Sequence, residues 1–354
     1  MSDPVIVGLS GGVDSAVAAL LLVEQGYEVQ GLFMSNWDEE DAYCTQAQDY
    51  QDARAVARVL GIPLHRASFA ADYRARVFEY FLAEHRAGRT PNPDVLCNRE
   101  VKFGVGLRHA RRLGARFFAT GHYARLRHGH GGVQLLKAID AVKDQTYFLH
   151  AVHACDLQQA LMPVGDYTKA EVRERARAAN LPVFDKPDST GICFIGERPF
   201  REFLRKYIAE VPGPIETPDG ECLGTHCGLA FYTLGQRGGI GLGGRHDSDA
   251  LPWYVAAKDA ARNALIVVQG HDHPRLHARG LLCTDLHWLT APPEAPLRCT
   301  VRVRHRHTDQ PALLQPGADG TARVLFDEPQ RALTPGQFAV AYQGDLCLGG
   351  GTIA

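Results

Sequence analysis

The stretch VIVGLSGGVDSAVAALLLVEQG, residues 5–26, reads as a buried strand, a tight turn and a helix in immediate succession. Residues 5–9 form a short apolar run of strand type. Residues 16–25 follow as a helix closed by Gly26. Between them lies Ser10-Gly11-Gly12-Val13-Asp14-Ser15. Its glycines let main-chain N–H groups crowd around an oxyanion, and the helix N-terminus adds the positive end of its dipole. The hydroxyls of Ser10 and Ser15 can donate, and Asp14 can help hold a Mg²⁺. No G-x-x-x-x-G-K-[ST] string occurs anywhere, so this is not a Walker A loop.

Working outward, the same alternation continues. Residues 29–34 and 64–69 read as strands, 46–60 as a helix ending at Gly61, 73–87 and 100–113 as helices, and 116–119 as a further strand. This βαβα order predicts an α/β fold with a doubly wound parallel sheet. Ligands of such sheets bind outside the C-terminal strand ends. The loop 10–15, the turn after Met34 and the segment TGHYA (120–124) then converge on one edge. A helix begins near Thr168, where TKAE has the spacing of a capping box. After about residue 200 the helical period fades and Gly and Pro become frequent. From Leu281 onward, short alternating segments between turn residues predict an all-β domain.

With 354 residues, the chain has room for two or three domains at ~150 residues each. Its 45% apolar and 22% charged residues exclude a disordered or fibrous chain. The longest strongly apolar run, 16–23, is far short of the ~20 residues of a membrane span. The opening MSDPVIVGLS lacks the basic and apolar regions of a signal peptide, so the expectation is a cytoplasmic protein without membrane contact. Net charge is −2, yet residues 99–127 hold eight Lys or Arg and a single acid. The nine Cys are odd in number and form no C-x-x-C pair, which disfavours a disulfide framework, a zinc ribbon and a Cys-rich iron–sulfur site.

Two cysteines sit in unusual strings. In Pro91-Asn92-Pro93-Asp94-Val95-Leu96-Cys97-Asn98, two prolines stiffen a loop that presents Asp94 and Cys97 in a fixed relation. Nearby Arg99, Lys102 and a helix start favour a thiolate; a packed, inert thiol fits the local sequence equally well. In Asp188-Ser189-Thr190-Gly191-Ile192-Cys193-Phe194-Ile195-Gly196, Cys193 lies between glycines, with the same two readings open. Gly239-Ile240-Gly241-Leu242-Gly243-Gly244 matches a dinucleotide fingerprint in letters only, because no helix can follow it directly.

The strings SGGVDS, PNPDVLCN, TGHYAR, KDQTYFL (143–149), DSTGICFIGER, YTLGQRGGIG (232–241) and QGHDHPRL (269–276) occur in this order. Together they resemble the tRNA-specific 2-thiouridylases of the PP-loop ATP pyrophosphatase superfamily, over essentially the whole chain. The resemblance implies a PP-loop, ATP-binding catalytic domain (1–197), a small central domain (198–270) and a C-terminal, tRNA-binding β-barrel (271–354). It implies replacement of O2 of the wobble uridine by sulfur in tRNAs for Lys, Glu and Gln, with ATP consumed to AMP. By the same resemblance Gly8, Leu9, Ser10, Gly11, Gly12, Val13, Asp14 and Ser15 hold ATP phosphates, and Met34 and Gly121 complete the nucleotide contacts. Cys193 carries sulfur as a persulfide and Cys97 is the second catalytic cysteine, the two ending as a disulfide. Asn92, Pro93 and Asp94 meet the target base, with Asp94 also managing protons. His122, Lys143, Asp144, Gln145, Arg304, His305 and Gln337 match tRNA-contact positions. The implied partners are tRNA and a persulfide donor, a cysteine desulfurase or a sulfur-relay protein. Mg²⁺ is expected with ATP; an iron–sulfur cluster or zinc is not.

Chemistry on the residues agrees. Uridine O2 is a poor leaving group until adenylation makes it AMP, and a persulfide on a thiolate is a soft carrier that a second thiolate can cleave. An enzyme acting on a base must extrude it from its stack. Independently of the resemblance, Leu297, Cys299, Val301 and Val303 alternate with Arg298, Arg302, Arg304 and Arg306. That parity predicts a strand with a basic outer face suited to phosphates.

Overall fold

A computed structural model describes residues 3–38, 45–129, 131–188, 199–242 and 251–354. The N-terminal part is built on strands β1 (Pro4–Gly8), β2 (Glu28–Ser35), β3 (Leu64–Ser68), β4 (Phe117–Ala119) and β7 (Ala160–Leu161), all parallel, in the order β3-β2-β1-β4-β7. The order reverses at β1, so a crevice opens between the C-terminal ends of β1 and β4. Val5, Ile6 and Val7 are buried on both faces of the sheet, which is why β1 reads as a continuous apolar run.

Helix α1 (Val13–Glu24) begins three residues earlier than its apolar run suggests. Asp14 and Ser15 therefore lie in its first turn, at the positive end of its dipole. Helix α2 (Gln46–Leu60) has the expected bounds and is closed by Gly61 in the left-handed conformation. Two longer helical runs follow, α3 (70–86) and α4 (93–112), each with a stretch of wider π-type turns, Arg74–Phe78 and Cys97–Gly106. The expected helix from residue 100 thus begins seven residues earlier. Asn92 Oδ1 accepts the Asp94 N–H at 3.1 Å, and Pro93 fills the first position. Cys97 is consequently helical and buried, and not displayed on a stiffened loop. Helix α5 (Lys169–Ala178) starts with the capping box foreseen between Thr168 and Glu171 and packs on α1.

The central part comprises α6 (Phe200–Arg205) and a small sheet of β8 (Gly213–Glu216), β9 (Cys222–His226), β10 (Trp253–Asp259) and β11 (Ala264–Gln269), in the order β10-β11-β8-β9. The C-terminal part is a closed barrel. Its strands are β12 (His277–Trp288), β13 (Leu297–Arg302), β14 (Gln310–Pro316), β15 (Ala322–Arg331), β16 (Phe338–Gln343) and β17 (Leu346–Ile353), and β17 returns to pair with β12. A hairpin of the N-terminal part, β5 (Ala124–Gly129) and β6 (Gly132–Lys137), joins this barrel where Leu136 pairs with Leu346.

That junction corrects the reading of residues 297–306. Val301 and Val303 do point into the barrel, and Arg298 is exposed, bridging to Asp327. The strand ends at Arg302, however, and Arg302 is not a surface cation. Its side chain is 9% exposed, with NH1 at 2.8 Å from Asp144 Oδ2 and Nε at 2.7 Å from Asp309 Oδ1. The outer barrel face at this point is covered by the N-terminal part, so strand parity places Arg302 in an interface and not in solvent. Asp144, 1% exposed, also accepts the Ala138 N–H at 3.1 Å and the Thr146 hydroxyl at 2.8 Å. Removing one partner of such a pair leaves a buried charge unmatched. Arg302→Met should therefore cost about 3–5 kcal/mol of stability, and adding Asp144→Asn should return most of it. Denaturant unfolding checks this, and a loss below ~1 kcal/mol in the single variant would refute a structural role.

Candidate active site

The loop 10–15 is braced from within. The Ser10 N–H donates to Ser15 Oγ at 3.2 Å, and Ser15 Oγ donates to the Gly12 carbonyl at 3.0 Å. Gly11 has φ +79°, and a Cβ there would stand 2.3 Å from the Asp49 carbonyl oxygen. Both backbone conformation and the approach of α2 therefore require glycine. Leu9 and Val13 are buried anchors on either side of the turn. Gly8 lies beside Phe118 and Met34, whose side chains come within 3.4 and 3.5 Å of where its Cβ would be.

The segment after β4 presses on this loop. A Cβ at Gly121 would fall 2.5 Å from the Ser15 nitrogen. Tyr123 donates its hydroxyl to Asp14 Oδ1 at 2.8 Å, and burial together with that carboxylate pushes its phenol pKa up. The same tyrosine exchanges hydrogen bonds with Gln145, its N–H to Oε1 at 2.9 Å and its carbonyl from the Gln145 N–H at 2.8 Å. His122 is buried, with Nδ1 at 2.8 Å from Thr120 Oγ1 and Nε2 at 3.5 Å from Lys102 Nζ. Burial, and then Lys102, hold its pKa well below the usual histidine range, so it is neutral. With an ammonium before Nε2, that nitrogen is assigned as the acceptor and Nδ1 as the donor.

Lys102 belongs to α4, which brings Cys97 to the same region. Cys97 packs among Leu96, Val101, Phe78, Phe81 and Phe203, with Met34 at the edge of the cluster. Asn98 Nδ2 donates to the Phe148 carbonyl at 3.2 Å. On the barrel side, Gln337 Nε2 donates to the Thr90 carbonyl at 2.6 Å, steadying the entry to Asn92, Pro93 and Asp94. His305 lies with Nε2 at 3.2 Å from the Asp144 carbonyl and its ring centroid 4.3 Å from that of Phe148. Burial and the neighbouring Arg302 lower its pKa to about 4. Arg304 donates to the Ala332 carbonyl at 2.8 Å and to Thr334 Oγ1 at 3.1 Å.

The structure therefore links the loop 10–15 to Gly121 and Tyr123, Tyr123 to Gln145, and His122 to Lys102 of the helix that holds Cys97, while Gln337 of the barrel bonds Thr90 just before Asn92. Cys193 lies outside the described residues. Asp144 is turned inward to Arg302, and Lys143 Nζ is 2.5 Å from Asp188 Oδ2. Sequence reasoning missed Tyr123, Lys169 and Lys186. Tyr123 was visible within TGHYA. Lys186 Nζ donates to the Gly11 carbonyl at 3.0 Å and to Asp49 and Asp52 at 2.8 and 2.5 Å. Lys169 Nζ reaches both Asp14 oxygens, at 2.7 and 2.8 Å, and Asp188 Oδ1 at 2.8 Å. No local pattern announces either lysine.

Chemically, the arrangement offers a glycine-rich anion cradle at a helix N-terminus and a neutral buried imidazole, the latter beside Lys102 of the helix whose first turns bury the Cys97 thiol. Three family models match successive parts of the chain. One described as "tRNA methyl transferase HUP domain" matches residues 3–197, a "tRNA methyl transferase PRC-barrel domain" matches 201–269, and an "Aminomethyltransferase beta-barrel domain" matches 278–353. Curated relatives named tRNA-specific 2-thiouridylase MnmA include the protein of Alkalilimnicola ehrlichii, 57% identical over 99% of this chain and 97% of its own. That of Burkholderia thailandensis is 54% identical over 99% and 93%. A solved 4-thiouridine synthetase–RNA complex with bound ATP aligns at 16% identity over 58% of this chain and 50% of its own, with a TM-score of 0.36, too slight to bear on the reading.

The contact of Gly121 with the loop yields a direct test. Gly121→Ala forces a methyl group against the Ser15 nitrogen and the Asp14 carbonyl carbon. Overpacking of this kind costs about 1–3 kcal/mol, or roughly ten- to hundredfold in affinity for a ligand of the loop. Calorimetric titration with ATP should show that loss; an unchanged affinity would dissociate residues 120–123 from the cradle.

Proposed function

The chain belongs to the family of tRNA-specific 2-thiouridylases, and we propose how its residues carry out that reaction. It is an ATP-dependent sulfurtransferase that converts a tRNA uridine to 2-thiouridine. The observation that carries the assignment of its parts is the seating of Gly121 and Tyr123 on the loop 10–15, beside the helix that holds Cys97.

ATP, as its Mg²⁺ complex, lies with its phosphates on residues 8–15 and its nucleoside toward Met34 and Gly121. The wobble uridine of tRNAs for Lys, Glu or Gln is extruded toward Asn92, Pro93 and Asp94. Its O2 attacks the α-phosphorus. The bond to the bridging oxygen breaks, pyrophosphate leaves with that electron pair, and the uridine N3 proton passes to Asp94. Cys193 carries a persulfide received from a cysteine desulfurase or a sulfur-relay protein. Its terminal sulfur attacks C2, and AMP departs with the former O2. The Cys97 thiolate then attacks Cys193 Sγ, so that a Cys97–Cys193 disulfide forms and the electron pair of the broken S–S bond stays on the sulfur of 2-thiouridine. A dithiol reductant restores both cysteines. Lys143, Arg304, His305 and Gln337 stand toward tRNA, and the buried His122 and Asp144, with Gln145, support that face from beneath. Asp144 and Gln145 serve it by shaping the turn, Arg304, His305 and Gln337 by lining the barrel rim. Division at 197 and 270 separates catalysis, a central linker domain and the tRNA-facing barrel. The reaction belongs in the cytoplasm, and no helix among the described residues is long and apolar enough to cross a membrane.

Incubation with unmodified tRNA, ATP–Mg²⁺, cysteine, a cysteine desulfurase as persulfide donor and a dithiol reductant, followed by nucleoside mass analysis, should yield 2-thiouridine. The cysteine roles separate under a labelled persulfide donor. Cys193→Ser should take up no label, because a hydroxyl forms no S–S bond. Cys97→Ser should accept label at residue 193 yet release no thiolated tRNA. The oxidised wild type should give a peptide linked through Cys97 and Cys193, which requires Cα atoms within ~7 Å at that stage. Full activity of Cys193→Ser, with label on Cys97 alone, would reverse the assignment.

A further inference from the structure

The loop 10–15 carries no cation of its own: there is no Lys or Arg between residues 1 and 53. A triphosphate brings several negative charges, of which main-chain N–H groups and two hydroxyls can balance only part. Two lysines come to the loop from far along the chain, and their environments differ. Lys186 is locked among a carbonyl and two carboxylates of the loop and α2, where it acts as a brace. Lys169 stands in the first turn of α5 with its ammonium shared between Asp14 and Asp188. Each of these carboxylates has further partners. Asp14 keeps the Tyr123 hydroxyl, and Asp188 keeps Lys143 at 2.5 Å and Arg173 at 3.0 Å. Three cations thus converge on Asp188, and against the opposing effect of burial Lys143 and Lys169 lower its carboxyl pKa. Lys169 can leave either acid without stranding it. Its side chain is 13% exposed, and its ammonium sits beside the Tyr123 ring.

We propose that Lys169 is the cation of the triphosphate site: it moves from Asp14 and Asp188 onto the β- and γ-phosphates of ATP and remains with pyrophosphate as that group leaves. The proposal rests on the reading above that residues 10–15 bind ATP for cleavage between its α- and β-phosphates. When uridine O2 bonds to the α-phosphorus, the bridging oxygen takes the electron pair of the broken bond. The ammonium meets that added charge electrostatically, without giving up a proton. A lysine suits this better than an arginine, being a compact point charge on a flexible stem that can follow the leaving group.

Binding of ATP, AMP and inorganic pyrophosphate to the full chain separates this role from a structural one. Lys169→Met should weaken ATP and pyrophosphate at least tenfold while AMP stays within twofold, and Lys169→Arg should restore much of the ATP affinity. Should the Met variant fail to fold, Lys169→Gln, which keeps a donor toward Asp14, carries the same expectation. Equal loss for ATP and AMP, or unchanged ATP affinity, overturns the proposal. Absence of AMP formation from wild-type protein with ATP and tRNA would instead sink the underlying reading, and the nucleotide contrast at residue 169 would still be measurable.

Discussion

Asp144 is the point on which the site depends. Its carboxylate is almost fully removed from water, which is tolerable only because Arg302, the Thr146 hydroxyl and the Ala138 N–H surround it. Those donors come from the barrel and from both sides of the turn that carries Lys143, Asp144 and Gln145. The ion pair therefore does two things with one charge. It fastens the barrel to the parallel-sheet part, and it fixes the turn whose next residue, Gln145, is bonded to Tyr123. Tyr123 in turn bonds Asp14 of the glycine-rich loop. From barrel strand to phosphate cradle runs one unbroken series of short polar contacts. A shift of the barrel would be felt at the loop 10–15.

Helix α4 brings Cys97 into that frame by an unusual route. Its wide turns run from Cys97 to Gly106, and glycines occur where a Cβ would crowd the carbonyl oxygen five residues earlier: 2.9 Å at Gly104 from Arg99, and 3.0 Å at Gly106 from Val101. Wider turns rotate successive side chains differently from an α-helix, and π-type segments recur at functional sites. Here they let one helix bury Cys97, aim Lys102 at His122 and pass Met34 closely at Gly106. Hydrophobic periodicity at 3.6 residues cannot detect such a stretch, so the sequence reading placed the helix start too late and left Cys97 on a loop.

Electrostatics around the cradle are assembled entirely from distant parts of the chain. Lys186 reaches the Gly11 carbonyl across 175 positions, and Lys169 reaches Asp14 across 155. The first was not singled out in the sequence. The second stood inside a capping signal that explained only its neighbours, Thr168 and Glu171. A P-loop lysine would have been legible at once because it is part of its motif; here the same positive charge is supplied by packing of α5 against α1.

What the sequence alone determined is what local chemistry enforces. A β-type run followed by glycines and a helix must make the turn 10–15, and Thr168 with Glu171 must box a helix start. The order of strands and helices predicted the doubly wound sheet, since few topologies accommodate it. The motif strings carried the family. Tertiary structure alone decided which face of each element meets solvent. Strand parity correctly set Arg302 opposite Val301 and Val303, but whether that opposite face looks onto RNA or onto Asp144 depends on what the hairpin β5–β6 and the turn after it cover. Burial is a property of the whole packed chain, and a charge that reads as a phosphate ligand in isolation becomes, once covered, the pin that holds two domains together.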